Sequence, residues 1–370
     1  MRVIFWQRMF SPHMMGLAEA MAENGHDVTF IATEHLSKER REQGWQVAAK
    51  GMVKRRIIAN STEAGFFIAG LNPSTLHITQ GLRGNAEIGV YQELIISRGQ
   101  RLWVVMETVD PGGWRAPFKK AIYGWEIWRK QKQIEGILAI GAGTAEWLTA
   151  RNFPIEKVFP FAYFINPTEP DNAEPNFPEA ELFTFAYVGN LEPWKNPKLA
   201  LEAFMGLPTG PRRLIVAGGG SLRPALETRA RQAPLEAQID FLGRLPMTVV
   251  PTLLKKVDCL LLPSNTDGWG VVASEAMLMG TPTIVSDACG VRGAVHAAPQ
   301  GSVFPARDLN KLQTAMAEVQ AQGRNEERRA SLKAWAATLG ANFGAEYLQG
   351  ILSGSLCKTV PDWLRRGVAS

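Results

Sequence analysis

The stretch DCLLLPSNTDGWGVVASEAMLMGTPTIVSD, residues 258–287, decides the fold of this chain. An apolar run ends at Pro263, and a polar loop follows that contains Asp267 and a Gly-Trp-Gly turn. A helix-like apolar run begins near Val271, and a second apolar run follows it. Short apolar runs on either side of a helical segment are typical of two parallel strands joined by a helix. The stretch therefore predicts an α/β fold.

The same alternation extends along most of the chain. The predicted strands are RVIFW, DVTFIA, TLHIT, RLWVVM and GILAIG in the first half, and FTFAYVGN, RLIVAGG and IDFLG in the second. Helical segments separate them, so we predict doubly wound parallel sheets. In such sheets the ligand binds beyond the carboxyl ends of the strands, and we expect the functional residues in the loops that leave each strand.

A proline-rich segment separates the two series of strands. The stretch NPTEPDNAEPNFPEAE has four prolines and several acidic residues but no apolar periodicity, which is typical of a linker. We predict two Rossmann-like domains that face a cleft. The predicted boundaries are 1–166 for the N-terminal domain, 167–182 for the linker, 183–340 for the C-terminal domain and 341–370 for a tail.

Composition excludes several classes of protein. The 370 residues are 46% hydrophobic and 20% charged, which indicates globular domains rather than disorder. The three cysteines are odd in number and widely spaced, so neither a disulfide framework nor a zinc site is expected. No apolar run reaches the length of a membrane span, and we expect a cytoplasmic protein without a secretory signal. The net charge of +5 is compatible with phosphorylated ligands or an anionic lipid surface.

The Gly-Trp-Gly turn predicts an anion site. Gly268 and Gly270 permit close backbone approach, and a helix that begins near Val271 presents unpaired N–H groups suited to a phosphate. Side chains lean toward the N-terminus of a helix, so Glu275 can reach the same ligand and accept the hydroxyls of a ribose. A second interpretation stays open, in which Asp267 caps the helix and Glu275 is merely solvated.

Two further loops carry cations. Lys195 follows Gly189 at the end of a predicted strand, where an ammonium can neutralise part of a diphosphate. Arg244 in FLGRLP can stack on a base or lie along phosphates, or it can be an ordinary surface arginine. The glycine-rich GGGSLRP does not match a dinucleotide-binding fingerprint.

Taken together and in order, these loops resemble the C-terminal half of a retaining GT-B glycosyltransferase of family 4. The matching stretches are GNLEPWKNP, VAGGGSLRPAL, DFLGRL, LLPSNTDGWGVVASEAMLMGTPTIVSD and FPARDLNKL. The first half resembles the family more loosely, through NGHDVTFIA and GILAIGAGTAEWLTARNFPIEKV. The tail, with FGAEYLQGIL and VPDWLRR, resembles the closing helices that cross back onto the first domain in this fold.

The resemblance implies roles for individual residues. Lys195 would contact the donor diphosphate, Glu275 would hold the ribose, and Asp267 would meet the transferred sugar; these three form the predicted catalytic set. The implied donor-binding set is Gly189, Asn190, Lys195, Arg244, Asp267, Trp269, Gly270, Val271, Val272 and Glu275. Two departures stand out, because Asn190 occupies the usual position of an arginine and Asp267 replaces the usual first glutamate.

The acceptor side is less clearly written. In the loop SPHMMG, His13 and Gly16 are candidates, although only one of the usual two glycines is present. Glu107 stands where relatives often carry a histidine, and it either orients an acceptor hydroxyl or is structural. His77 lies within an apolar strand and is predicted to be a core histidine.

Residues 114–133, WRAPFKKAIYGWEIWRKQKQ, interleave aromatic and basic side chains. Such a helix suits the headgroup region of an anionic bilayer. It equally suits a helix whose aromatic side chains pack on the sheet while its charges stay in water. Both interpretations stay open from the sequence.

The resemblance implies a retaining, metal-independent glycosyltransferase without a cofactor. It would move a sugar from a nucleoside diphosphate sugar to a glycan or lipid-linked acceptor, in the biosynthesis of bacterial surface polysaccharide or glycolipid. It would act in the cytoplasm or on the inner face of the cytoplasmic membrane. Two alternatives stay open: a GT-B sugar-nucleotide epimerase, and a degenerate member that binds glycans or partners without catalysis. Nucleic-acid binding is disfavoured, since no recognised module gathers the positive charge.

Overall fold

In the computed structural model, the chain forms two compact units. The residues described are 1–37, 40–41, 51–83, 86–109, 116–166, 182–208, 210–234, 237–356 and 360–365. Unit 1 comprises 1–41, 45–166 and 341–359, and unit 2 comprises 42–44, 167–340 and 360–370. The predicted linker, 167–182, lies outside the described residues except for Leu182.

Unit 1 is built on a parallel sheet. Its strands are β1 (Arg2–Gln7), β2 (Asp27–Ala32), β3 (Lys54–Ile57), β4 (Leu76–Gln80), β5 (Arg101–Glu107), β6 (Ile134–Ile140) and β7 (Val158–Phe161). Its first helices are α1 (Pro12–Glu23), α2 (Ser61–Ala69), α3 (Ala86–Ser97), α4 (Ala116–Lys130) and α5 (Thr144–Thr149). The strand order is β3-β2-β1-β4-β5-β6-β7. The central strands β1, β2 and β4 are almost wholly buried, as their continuous apolar runs predict.

His77 on β4 is a core histidine, as predicted. It is fully buried; the indole Nε1 of Trp6 donates to its Nδ1 at 2.9 Å, and its Nε2 lies 2.6 Å from Oε1 of Gln100. Burial lowers the pKa of His77 to about 4, so the ring is neutral. Because Nδ1 accepts a hydrogen bond, the ring proton lies on Nε2 and is donated to Gln100.

Three strands were not predicted from the sequence: β3, β7 and the strand Gly301–Phe304 of unit 2. Each lies at an edge of its sheet. Strand β3 reads KRRI and alternates between exposed and partly buried positions. Strand β7 reads VFPF, where a proline is tolerated because an edge strand need not donate on both sides. Charges and prolines on edge strands protect them from pairing with other chains, but they also hide the strand from an apolar pattern.

Unit 2 repeats the architecture with a smaller sheet. Its strands are β8 (Phe183–Val188), β9 (Arg212–Ala217), β10 (Ala237–Gly243), β11 (Cys259–Leu262), β12 (Thr283–Ser286) and β13 (Gly301–Phe304). Its helices are α6 (Pro197–Met205), α7 (Arg223–Ala230), α8 (Val250–Lys256), α9 (Val271–Leu278), α10 (Arg292–Ala297), α11 (Leu309–Gln322) and α12 (Glu326–Ala336). The parallel sheet runs β10-β9-β8-β11-β12-β13.

Both sheets change direction of strand order beside their first strand. In unit 2 the reversal falls between β8 and β11, and in unit 1 between β1 and β4. This is the strand order of Rossmann-like doubly wound sheets, whose ligands bind at the reversal. The predicted fold class of two Rossmann-like parallel-sheet domains is confirmed.

A last helix, α13 (Ala341–Ser353), belongs to unit 1 and packs against α1. Gly16 lies buried on α1 at this contact, where an added Cβ would lie 3.3 Å from the backbone N of Asn166 and 3.7 Å from Cβ of Ala341. Gly16 therefore lets the helix approach its neighbours closely. A short 3₁₀ turn, Asp362–Leu364, follows in unit 2. Across the described residues, no helix is both long enough and apolar enough to span a membrane.

Candidate functional site

Two loops of unit 2 meet at the point where the strand order reverses. One follows β8 and ends in a 3₁₀ turn, Pro193–Lys195; the other follows β11 and leads into α9. The backbone N of Asn265 donates to the carbonyl of Trp194 at 2.7 Å, and its side-chain Nδ2 donates to the carbonyl of Pro193 at 2.9 Å. These bonds hold the two loops in a fixed relation.

Lys195 and Asp267 form an ion pair between these loops. The Nζ of Lys195 donates to Oδ2 of Asp267 at 2.5 Å, and the two side chains are 23% and 12% exposed. A partly buried pair keeps the ammonium in place while leaving some of it accessible. The structure thus brings together two of the three residues in the predicted catalytic set.

Helix α9 begins at Val271, and its first turn offers free donors. The backbone N–H groups of Trp269, Gly270, Val271 and Val272 donate to no acceptor within the described part of the chain. Gly270 precedes the helix with φ of 97°, and an added Cβ would lie 2.6 Å from Cδ2 of Leu262, so this turn requires glycine. Free N–H groups and the positive end of the helix dipole favour an anion here.

Glu275 lies on the first turns of α9 with its carboxyl in a largely buried setting. Burial raises the pKa of this carboxyl from 4.5 to about 7. No side chain or backbone group of the described residues donates to it or pairs with it. A buried carboxyl without a partner and with a raised pKa is typical of a ligand site. The raised pKa of Glu275 favours the ligand-site interpretation over that of a solvated helix residue.

Trp269 contributes to the site through its backbone, because its side chain is buried. Its indole Nε1 donates to Oγ of Ser274 at 3.0 Å. Its ring meets that of Trp363 edge to face, with centroids 5.9 Å apart. Trp363 is only 2% exposed and belongs to the last 3₁₀ turn of unit 2. This contact joins residues far apart in sequence and was not predicted.

Arg244 lies beside the glycine-rich loop that follows β9. An added Cβ on Gly219 would lie 2.7 Å from Nε of Arg244, so the side chain lies against that glycine. Glu192 accepts hydrogen bonds from the backbone N and the Oγ of Ser221, which lower the pKa of its carboxyl, and Arg244 lowers it further. Asn190, two residues before Glu192, is exposed, and its backbone carbonyl accepts a hydrogen bond from the hydroxyl of Tyr187 at 2.8 Å. Arg244 is therefore an available cation, whereas Asn190 supplies none.

Gly189 joins the glycine-rich loop by close backbone approach. Its N–H donates to the carbonyl of Ala217 at 2.9 Å, and an added Cβ on Gly218 would lie 1.9 Å from the carbonyl oxygen of Gly189. This contact explains the glycine in the first position of GGGSLRP. The glycine-rich loop is thus part of the same site wall as the loop that carries Lys195.

Two of the acceptor-side candidates, His13 and Glu107, cluster within unit 1. The hydroxyl of Tyr163 donates to Oε1 of Glu107 at 2.5 Å, and the Tyr163 ring packs on His13 with centroids 5.6 Å apart. Burial and the charge of Arg40 lower the pKa of His13 to about 4, so the imidazole is neutral. Tyr163 was not predicted, and it links two candidates that are far apart in sequence. Gly16 does not join them, since it lies at the contact of α1 with α13.

Residues 169–336 match the family described as Glycosyl transferases group 1. Among curated proteins, the D-inositol 3-phosphate glycosyltransferases of Mycobacterium bovis and Mycobacterium tuberculosis are 31% identical over 136 residues. That match covers 35% of this chain and 28% of the relative, so it spans little more than a quarter of the length of the curated relatives.

Solved structures resemble nearly the whole chain. HepE from Anabaena, in complex with UDP, matches with a TM-score of 0.74 and 14% identity, covering 96% of this chain and all of that one. The lipopolysaccharide outer core galactosyltransferase WaaB matches with a TM-score of 0.67 and 17% identity, again covering 96% of this chain and all of the other. These likenesses show the fold. The chain therefore has the GT-B fold, and residues 169–336 are similar to the group 1 glycosyl transferase family.

Proposed function

We propose that this chain is a retaining glycosyltransferase that moves a sugar from a nucleoside diphosphate sugar to a glycan or lipid-linked acceptor. The observation that carries the proposal is the Lys195–Asp267 ion pair beside the free N–H groups that open α9. The ammonium of Lys195 and the N-terminus of α9 are both positive and belong to loops that contact each other, so together they suit a diphosphate. A neighbouring unpaired carboxyl, Glu275, suits the hydroxyls of a ribose.

The mechanism follows from where charge develops. As the bond between sugar and phosphate breaks, negative charge grows on the leaving diphosphate. Lys195 and the N–H groups from Trp269 to Val272 stabilise that charge, and their fixed positions require little reorganisation during the reaction. Asp267 holds the ammonium toward the site and faces the transferred sugar. Loss of one such donor costs about 2–4 kcal/mol of barrier.

Three finer points of the proposal rest on the family resemblance. Transfer retains the anomeric configuration, it requires no metal ion, and it serves the biosynthesis of bacterial surface polysaccharide or glycolipid. Arg244 supplies the second phosphate cation in place of the arginine absent at Asn190, since it lies against the glycine-rich loop. His13, Glu107 and Tyr163 receive the acceptor.

The relatives suggest the first donor to test. One solved structure with the same fold is a complex of HepE from Anabaena with UDP-glucose, and the curated relatives are named D-inositol 3-phosphate glycosyltransferases. UDP-glucose is therefore the first donor to try. The structures also include WaaB and WaaG, both titled for lipopolysaccharide, and lipid-linked acceptors come first for that reason.

The proposal includes attachment to a membrane surface through α4. Residues 114 and 115 lie outside the described residues, but α4 exposes Phe118, Trp125 and Trp128 together with basic side chains. We propose that α4 attaches the protein to an anionic membrane surface on the cytoplasmic side. Attachment of this kind would bring the protein to the membrane that carries a lipid-linked acceptor.

The test is transfer itself, measured as release of UDP from UDP-glucose in the presence and absence of a glycolipid acceptor fraction. We expect release that depends on the acceptor, and a loss of about 10²-fold or more in Lys195→Ala. Lys198→Ala, three residues along on the exposed face of α6, is the matched control and should keep its rate.

Two results would overturn the proposal. Conversion of the donor sugar without any acceptor would identify an epimerase. Failure of every nucleoside diphosphate sugar to bind the folded protein would identify a non-catalytic member. Nuclear magnetic resonance of the first product then reports the anomeric configuration, and inversion would refute the retaining mechanism.

A further inference from the structure

Helix α4 leaves a stripe of large aromatic side chains in solvent. Phe118, Trp125 and Trp128 are 66%, 55% and 70% exposed, and Ile122 on the same helix is 42% exposed. Their spacing of three to four residues places them along one side of the helix. An exposed stripe of this size on a single helix points to something that covers it.

These aromatic side chains are not needed to hold α4 on unit 1. The opposite side of the helix buries Ile127 and Lys130, which are 1% and 3% exposed. The Nζ of Lys130 donates to Oε1 of Gln92 at 2.9 Å and lies 3.2 Å from carboxylate oxygens of Glu93 and Glu126. This buried, fully paired lysine anchors the helix to α3. The exposed stripe is therefore available for a partner.

A groove runs along α4 beside this stripe. It has a volume of about 480 Å³ and is mostly apolar. It is lined by Lys120, Ala121, Gly124, Ile127, Trp128, Gln131, Ala150, Arg151 and Asn152. The lining positions on α4 and directly after it run from 120 to 131, which is about 16 Å at 1.5 Å per residue. That length is close to half of the ~30 Å hydrocarbon core, the reach of one lipid chain.

Gly124 lines the groove and leaves open space there, because it has no side chain. A Cβ added at this position would have no heavy atom within 4 Å. Glycine inside a helix costs about 1 kcal/mol relative to alanine, and neither a positive φ nor a close neighbour accounts for it here. The space that it leaves is the space that a lipid chain would fill.

The rim of the groove is basic. Lys120 and Arg151 line it, and Lys119 and Lys132 are exposed on the same segment. Glu126 on the helix and Glu93 on α3 are paired with Arg129 and Lys130. Glu146 on α5 is exposed, but it does not line the groove. The charge at the rim therefore complements a phosphate.

We infer that this groove holds one acyl chain of an anionic phospholipid, with the lipid phosphate at Lys120 and Arg151. Trp125 and Trp128 then lie in the headgroup region, where an indole is stable because its ring is apolar and its N–H reaches water, and Phe118 adds apolar area to the same side. The inference rests on the membrane attachment proposed above and adds a specific lipid site to it. An apolar channel with a cationic mouth distinguishes this site from a general electrostatic surface.

The experiment is photolabelling of the full chain by vesicles that contain phosphatidylglycerol with a photoactivatable acyl chain. We expect label on peptides that contain residues 116–131 or 150–152. Gly124→Leu puts a side chain into the groove at a position where an added Cβ meets no heavy atom within 4 Å, and we expect it to reduce that label about tenfold. Gly65→Leu is the matched control, since Gly65 lies within α2 with equally open surroundings, and it should retain the label. Lys120→Glu should reduce the label as well, by opposing the phosphate.

Unchanged label in Gly124→Leu, or label elsewhere in the chain, would overturn the proposal that the groove binds an acyl chain. Equal label from vesicles of phosphatidylcholine alone would overturn the phosphate contact. UDP binding measured on the same preparations separates the two proposals: loss of label with UDP binding intact affects only the lipid site. Circular dichroism of each variant confirms that the comparison is between folded proteins.

Discussion

Replacing Glu275 by glutamine should stabilise the protein without ligand and weaken donor binding. The carboxyl is largely buried, has no partner among the described residues, and has its pKa raised by burial from 4.5 to about 7. The folded state therefore binds a proton more tightly than the unfolded state. Stability due to this group is greatest below pH 4.5 and is lost as the pH rises through about 7. Glutamine is neutral at every pH and avoids that loss.

The magnitude follows from the change in pKa. A rise from 4.5 to about 7 corresponds to about 3 kcal/mol, and we take about 1–3 kcal/mol because part of the side chain reaches solvent. At about 2–4 °C per kcal/mol for a unit of this size, Glu275→Gln should raise Tm by several degrees at about pH 8.5. Near pH 4.5 the two proteins should unfold together.

The assay is thermal unfolding of wild type and Glu275→Gln across that pH range, with Glu318→Gln on the exposed side of α11 as the control. The same variant should bind the donor about 10–100-fold more weakly, because it loses charged hydrogen bonds to the ribose. A gain in Tm that is equal at both pH values, or no gain at high pH, would refute burial of the ionised carboxyl as the cause.

Three other predictions follow from the same site. Lys195→Ala should lower kcat for transfer by about 10²-fold or more, as measured by UDP release, because the diphosphate loses its ammonium; an unchanged kcat would place the phosphate elsewhere. Gly270→Ala should destabilise unit 2 by about 1–3 kcal/mol in denaturant unfolding, because φ is 97° and Leu262 blocks the new methyl group, whereas Gly65→Ala in α2 should not destabilise unit 1. Trp363→Ala should cost about 3–5 kcal/mol and weaken UDP binding through the loosened Trp269 turn, and a loss of stability with UDP affinity unchanged would show that Trp363 supports only the core.

The sequence carried most of the fold, because parallel strands buried on both faces read as continuous apolar runs. The segments DVTFIA and FTFAYV became β2 and β8 almost residue for residue. The missed strands β3, β7 and β13 are edge strands or short, and β3 is almost entirely basic. Their pairing is fixed by the neighbouring strand rather than by their own composition, which no local pattern reveals.

The candidate site could be predicted only in part from the sequence, for a related reason. The loop positions of Lys195 and Asp267 follow from strand order, since loops after neighbouring parallel strands lie at one edge of the sheet. The 2.5 Å contact between them, and the contacts of Trp363 with Trp269 and of Tyr163 with Glu107, join residues distant in sequence. Such contacts depend on packing, and spacing along the chain does not encode them. For Gly16 the loop motif predicted an acceptor-side residue. The structure places it where α1 packs on its neighbours, and the motif does not reveal that contact.

The most direct test of the account is the affinity of the full chain for UDP compared with UMP, measured calorimetrically for wild type, Lys195→Ala and Lys198→Ala. We expect wild type and Lys198→Ala to bind UDP at least about tenfold more tightly than UMP, because the second phosphate meets the ammonium and the N-terminus of α9. Lys195→Ala should lose most of that preference. Equal preference in all three proteins would contradict a diphosphate held at this site.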